Sequence, residues 1–219
     1  MIRTMKEILI GCILMFTLVS CTPQNINKLN DEPLQNITFE KPVIYLYPQE
    51  KTKINIELEF DGELTFTYPE YKNSWQVIAD PNGNIYTEDG KEYSYLFWEG
   101  RSDYSWEINE GFVVEGSNTV EFLQNTLEEM GLIPKEYNDF IVYWAPLMQE
   151  NKYNLIHFAG EEYEALAKLS IEPKPDEILR VFMVYQALEE PVTVKKQQLK
   201  PFERKGFTVI EWGGAMIGH

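Results

Sequence analysis

Basic residues, histidine and cysteine are all scarce in this chain of 219 residues, and each scarcity closes off a class of function. Lysine and arginine number 19 against 35 acidic residues, a formal charge of −16. Phosphate backbones would be repelled, which sets nucleic acid aside as a partner. Polybasic adhesion to anionic lipid falls with it. The histidines are His157 and His219, a poor basis for a zinc centre of two or three imidazoles. The cysteines, Cys12 and Cys21, both lie at the N-terminus, so the body has neither a disulfide nor a thiol nucleophile and must stand on its core. A Gly-rich phosphate loop, a dinucleotide fingerprint and the serine nucleophile elbow are also missing from the sequence. No metal and no cofactor is expected.

What the chain does have begins at its N-terminus. Arg3 and Lys6 open it, and Ile8 to Val19 is almost wholly apolar, broken by Gly11 and Thr17. That run is about a dozen residues, against roughly 20 for a helix that spans a bilayer. A charged start, a short apolar run and a small residue before the break are the marks of an export signal. The stretch Leu18-Val19-Ser20-Cys21 resembles the lipobox of bacterial lipoproteins. The resemblance implies cleavage before Cys21, lipid on that cysteine, and a protein held to the cell envelope facing away from the cytoplasm. The membrane would be its partner through that anchor. The plainer alternative is a buried N-terminal helix with Cys21 as an ordinary small apolar residue. Residues 1–20 thus read as signal and 21–40, polar and without period, as a tether.

The body, 41–215, is read as strands. Ile54, Ile56, Leu58 and Phe60 alternate with polar residues, Asp61-Gly62 offers a two-residue turn, and Leu64, Phe66 and Tyr68 resume the alternation. This predicts a β-hairpin. Further strands are expected at WQVIA, IYT, YSYLFWE, GFVVE, DFIVYW, YNLIHF, KLSIE, ILRVFMVY and FTVIEW. The run VFMVY reads as a central strand covered on both faces. One clear helix is predicted near 118–131, with Asn118 and Glu121 as a capping box and Gly131 as its stop. A short second helix fits Glu161 to Lys168. The class is α+β, predominantly antiparallel sheet. One domain, or two subdomains divided near 117–138, fit equally.

Chemistry is sparser. DPNGN places Asp80, Asn82 and Asn84 at alternate positions, but Ile85 and Lys91 stand where a calcium loop needs glycine and glutamate, so a turn is the better reading. The best constellation is YLFWEG with VIEWGG: Glu99 and Glu211 each stand beside a tryptophan, Trp98 and Trp212, before a glycine. Converging, two carboxylates framed by rings suit glycoside hydrolysis, one protonated and one ionised. The plain alternative is coincidence in an acidic, aromatic chain. His157 is a weaker catalytic candidate, best read as a hydrogen-bonded strand residue. Arg180 interrupts an apolar strand and needs a carboxylate if buried. Pairing with Glu99 or Glu211 would turn the supposed site into an internal salt bridge.

The stretches KPVIYLYP, YLFWEG, YWAPLMQENKYNLIHF and RKGFTVIEWGG together resemble a family of secreted or envelope proteins without an established activity. That resemblance spans Lys41 to Gly214 and implies a shared fold, with no catalytic residues to carry over. Three functions remain in view. The first is a binding module meeting a glycan or an envelope protein through aromatic residues such as Trp75, Trp98, Trp106, Trp144 or Trp212. The second is a glycan hydrolase using Glu99 and Glu211, and the third a structural envelope lipoprotein. The plain reading of each tryptophan is core packing.

Overall fold

The computed structural model describes residues 37–218; the signal, Cys21 and most of the tether fall outside the described residues. In chain order the strands are β1 (Ile37–Tyr47), β2 (Thr52–Phe60), β3 (Glu63–Tyr68), β4 (Trp75–Ala79), β5 (Ile85–Tyr86), β6 (Glu92–Tyr93), β7 (Leu96–Ser102) and β8 (Glu110–Glu115). Helices α1 (Thr119–Met130) and α2 (Pro134–Met148) follow. The rest is β9 (Tyr153–Phe158), α3 (Gly160–Leu166), β10 (Ala167–Glu172), β11 (Glu177–Leu188), β12 (Lys195–Lys196) and β13 (Thr208–Met216).

Two sheets result. The larger has the order β12-β8-β9-β11-β13-β1-β7-β3, the smaller β10-β2-β4-β5-β6. Most pairs are antiparallel; β11 with β13 and β12 with β8 are parallel. The class is the expected one, α+β and mainly β. β11 lies inside the large sheet with Arg180 to Tyr185 all buried, as a strand covered on both faces must be. On one face, Ile44, Leu46, Trp98, Phe182 and Val209 pack with side chains of the small sheet and α3. On the other, Val43, Tyr45, Met183, Ile210 and Trp212 pack with α1 and α2. Strands from before and after 117–138 alternate within the large sheet, so the body is laid down as one unit.

Three expectations need correction. The predicted hairpin does not form. β2 alternates as read, but it pairs with β4 and β10 in the small sheet, whereas β3 pairs with β7 in the large one. Asp61-Gly62 is a corner between sheets: Asp61 N–H donates to Leu166 O at 2.7 Å, and a Cβ on Gly62 would collide with Arg101 O. The pattern gave β2 its faces but not its partner; in β3 an irregularity between Leu64 and Phe66 breaks the alternation and leaves Phe66 and Tyr68 exposed.

DFIVYW is helix, not strand, so the single clear helix becomes three. Pro134 starts α2, where its missing N–H costs nothing. The Glu136 carboxylate accepts the Ile133 N–H at 3.0 Å and pairs with Arg204, which also donates to Gly131 O. Tyr137, Phe140, Trp144 and Met148, spaced by three or four, then face the sheet. Gly214 admits Trp144, whose ring a Cβ there would meet at 2.7 Å.

The third correction is the start of the body. β1 begins at Ile37, with Ile37 and Phe39 in the core, so the last four residues assigned to the tether belong to a strand. α1 and α3, by contrast, lie close to their expected spans. Gly131 ends α1 with φ 101°, although the Asn118 side chain makes no cap hydrogen bond.

Candidate functional site

β7 carries Trp98 and Glu99 as neighbours, so alternation sends them to opposite faces of the large sheet. Trp98 points toward the small sheet, and its Nε1–H donates to Glu211 Oε1 at 3.1 Å. Arg180 lies opposite Glu211 in the parallel β11–β13 register and donates from Nε to Oε2 at 2.5 Å. The Tyr163 ring of α3 covers the guanidinium at 4.6 Å. Glu211, Trp98 and Tyr163 are fully buried, and Arg180 is nearly so. Burial works against the charge on Arg180, but the Glu211 carboxylate outweighs it and holds the guanidinium protonated. Burial, then the charge of Glu211, pushes the Tyr163 hydroxyl well above its ordinary value. This is an internal ion pair, the outcome foreseen if Arg180 met either glutamate.

Glu99 is on the other face, and the two glutamates do not converge. What lies with Glu99 was not anticipated. β1 carries a bulge between Glu40 and Val43, where Lys41 takes φ 59°, a conformation that side chains other than glycine rarely adopt. The bulge delivers Glu40 and Lys41 beside Glu99. The Lys41 ammonium lies 5.3 Å from the centres of both the Phe97 and Tyr143 rings. The Tyr143 hydroxyl, from α2, donates to Glu40 Oε2 at 2.6 Å. Burial raises Glu99 above the ordinary carboxylate value; the Lys41 amide and ammonium partly offset it, while Glu40 adds to it. Burial and Glu40 likewise raise Tyr143.

β3 is the edge strand of the sheet, and its rings are left in water. Phe66 and Tyr68 of β3 are each 56% exposed, and the Phe66 ring meets Phe97 edge-on at 5.8 Å. Phe66 is also the cross-strand neighbour of Glu99. The half-buried group of Glu40, Lys41, Glu99 and Tyr143, bordered by the exposed Phe66 ring, brings carboxylates, a cation and apolar surface together.

The other sequence candidates are placed as follows. Trp212 is buried on the helix-covered face against Phe140, 5.2 Å between ring centres. All five tryptophans are core residues, so a tryptophan-lined surface is not what the chain presents. The His157 Nδ1–H donates to Glu110 O, 2.8 Å away, tying β9 to β8. Asp80 binds Asn82 N–H and Asn84 N–H, at 2.9 and 3.2 Å, in the turn expected there. Among the described residues no group of three or more His, Cys, Asp or Glu is placed to hold a metal ion.

No family model matches the chain, and no solved structure matches it. The uncharacterized protein in bglA 3'region of Butyrivibrio fibrisolvens is 40% identical over 101 residues, covering 43% of this chain and 97% of that protein. The chain belongs to the family of that protein.

Proposed function

We propose that the protein is a lipid-anchored component of the bacterial cell envelope that acts by binding, through the open end of the helix-covered face. The observation that carries the binding half of this reading is the pair of exposed rings on β3: Phe66, against Phe97 and across from Glu99, and Tyr68, whose ring meets Tyr93 edge-on at 5.2 Å. In a chain that withdraws every tryptophan into its core, adjacent large rings left outside mark a contact surface. The address rests on Leu18-Val19-Ser20-Cys21 and the apolar run before it. Among the described residues no helix is long and apolar enough to cross a membrane. The attachment in this reading is a lipid on Cys21.

Fractionation tests the address. The full-length protein should pellet with membranes and incorporate a labelled fatty acid, while Cys21→Ala should do neither. An unlabelled wild type sinks the anchor. Retention on purified envelope fractions tests the face, and the double variant Phe66→Ala, Tyr68→Ala should be released.

A second reading, hydrolysis at the same face, is favoured by one observation: Glu99 holds its proton more tightly than an ordinary carboxylate and has Glu40 beside it. That is the property a general acid needs. Glycan turnover abolished by Glu99→Gln would establish it, and binding without turnover would dismiss it.

A further inference from the structure

The exposed face also specifies the chemistry of what it binds, on the premise that it is a binding face as argued above. The Phe97 ring is already taken by the Lys41 ammonium, whereas the Phe66 ring, edge-on to it at an interplanar angle of 61°, remains open outward. A ligand stacked on Phe66 therefore has three polar groups within reach of its rim. Glu99 is the register partner of Phe66 across β3 and β7, which puts their Cβ atoms about 5 Å apart. Glu40 and Lys41 come next, fixed by the Tyr143 hydrogen bond and by the two rings around the ammonium.

The surface thus asks for a flat apolar face edged by hydrogen-bond donors. Two carboxylates accept hydroxyls, and one ammonium donates to a ring or hydroxyl oxygen. Charge narrows the class further. Two carboxylates against one lysine, on a chain of formal charge −16, repel an anionic ligand. A pyranose ring whose hydroxyls are all equatorial has this form: C–H groups on its faces, donors around its edge, no charge. Phe66 and Tyr68 are two apart on β3, so their side chains leave the same side of the strand roughly 6.5 Å apart, enough to meet successive rings of one chain. We infer that this face binds a neutral, β-linked, all-equatorial hexose oligosaccharide, stacked on Phe66 and Tyr68 and hydrogen-bonded to Glu99, Glu40 and Lys41.

Calorimetry on the detergent-solubilised full-length protein tests this with three probes. Cellohexaose should give saturable heat. Mannohexaose, whose axial hydroxyl interrupts the ring face, should bind more weakly, and polygalacturonate should give none. Phe66→Ala should weaken cellohexaose about tenfold, equivalent to about 1.4 kcal/mol. Glu99→Gln should weaken it severalfold by removing a charged acceptor. Both side chains reach the surface, and unchanged thermal melts would confirm that both variants fold. Absence of heat with cellohexaose, or equal binding by Phe66→Ala, overturns the sugar assignment. Sedimentation then separates that failure from failure of the face itself. A wild type that self-associates while Phe66→Ala stays monomeric overturns the sugar and keeps the face as a protein contact through β3. Envelope retention that is indifferent to Phe66→Ala and Tyr68→Ala, with no self-association, overturns both readings.

Discussion

The two sides of β7 hold the same kinds of group and put them to opposite use. Toward the small sheet, a carboxylate, a cation and two rings (Glu211, Arg180, Trp98, Tyr163) are buried together, and Glu211 accepts from both Arg180 and Trp98. Toward the helices, Glu99, Lys41, Phe97 and Tyr143 repeat the list but keep an opening at the sheet edge. The sealed set is bound up in the fold: Arg180 gives its Nε–H to Glu211, and Glu211 is fully buried. The open set is held in place by a bulge and a helix yet leaves rings and carboxylates available. Acidic and aromatic composition is therefore not what separates architecture from recognition in this chain. The covering layer does so: on the small-sheet side Trp98 is fully buried, whereas on the other side Glu99 is half-buried and Phe66, at the β3 edge, stays exposed.

The largest effect should come from breaking the sealed side. Arg180→Ala leaves Glu211 charged and buried without its partner, and should cost about 3–5 kcal/mol in denaturant unfolding. Arg180 Nη2 and the Tyr163 hydroxyl are buried with no hydrogen-bond partner among the described residues, so the cluster already carries a desolvation cost. The double variant Arg180→Met, Glu211→Leu should for that reason recover most of the loss. If the single and double variants fall equally, the pair has no coupling and the description of this side is wrong. Next in size, Trp98→Phe removes the donor to Glu211 Oε1 while keeping an aromatic ring, at about 1–3 kcal/mol.

The open side should respond weakly in stability and with a particular sign. Glu99 is raised in the folded state, mainly by burial. Between the ordinary carboxylate value and its folded value, the folded state holds more protons than the unfolded state, so this group makes stability fall as pH rises. Glu99→Gln should flatten that slope, and should be the more stable protein above the window and not below it. Urea midpoints from about pH 4 to 8 would show this, and a parallel offset at every pH would contradict it. Smallest of all, Phe66→Ala should shift unfolding by no more than about 0.5 kcal/mol, because its ring is largely in water. A large loss there would mean the ring is structural, which would collapse the contrast between the two sides.

Much of this contrast was legible in the sequence, though not all of it was read. Arg180 inside an apolar strand demanded a carboxylate, and Glu211 supplies it. The alternation that identified YLFWEG as a strand also forbids Trp98 and Glu99 from sharing a face. A site that used Trp98 with Glu211 could therefore not include Glu99. Glu40 was out of reach because its strand starts among polar residues, and the bulge that turns it toward Glu99 leaves no trace in the periodicity. α2 was misread because DFIVYW is rich in β-forming residues; its opening proline and its spacing of Tyr137, Phe140, Trp144 and Met148 were the signal for a helix. Asp61-Gly62 shows the limit from the other direction. Alternation before the turn gave the buried face of β2, but after it the irregularity between Leu64 and Phe66 went unread, and strand pairing is decided by distant residues such as Leu166 and Arg101.

The strand order has a bearing on how the chain comes to be folded at all. β13, the last described strand to be synthesised, lies between β1, the first, and β11, and pairs with both. Until it arrives, β1 and β11 have no common neighbour, and the Arg180 guanidinium has no carboxylate to meet. β8, β9 and β11 can pair with one another before it, as can β1, β7 and β3, but joining the two groups into one sheet needs β13. Such long-range closure is slow compared with folding built on neighbouring segments. The middle of the largest sheet is therefore the last part of the body to be completed.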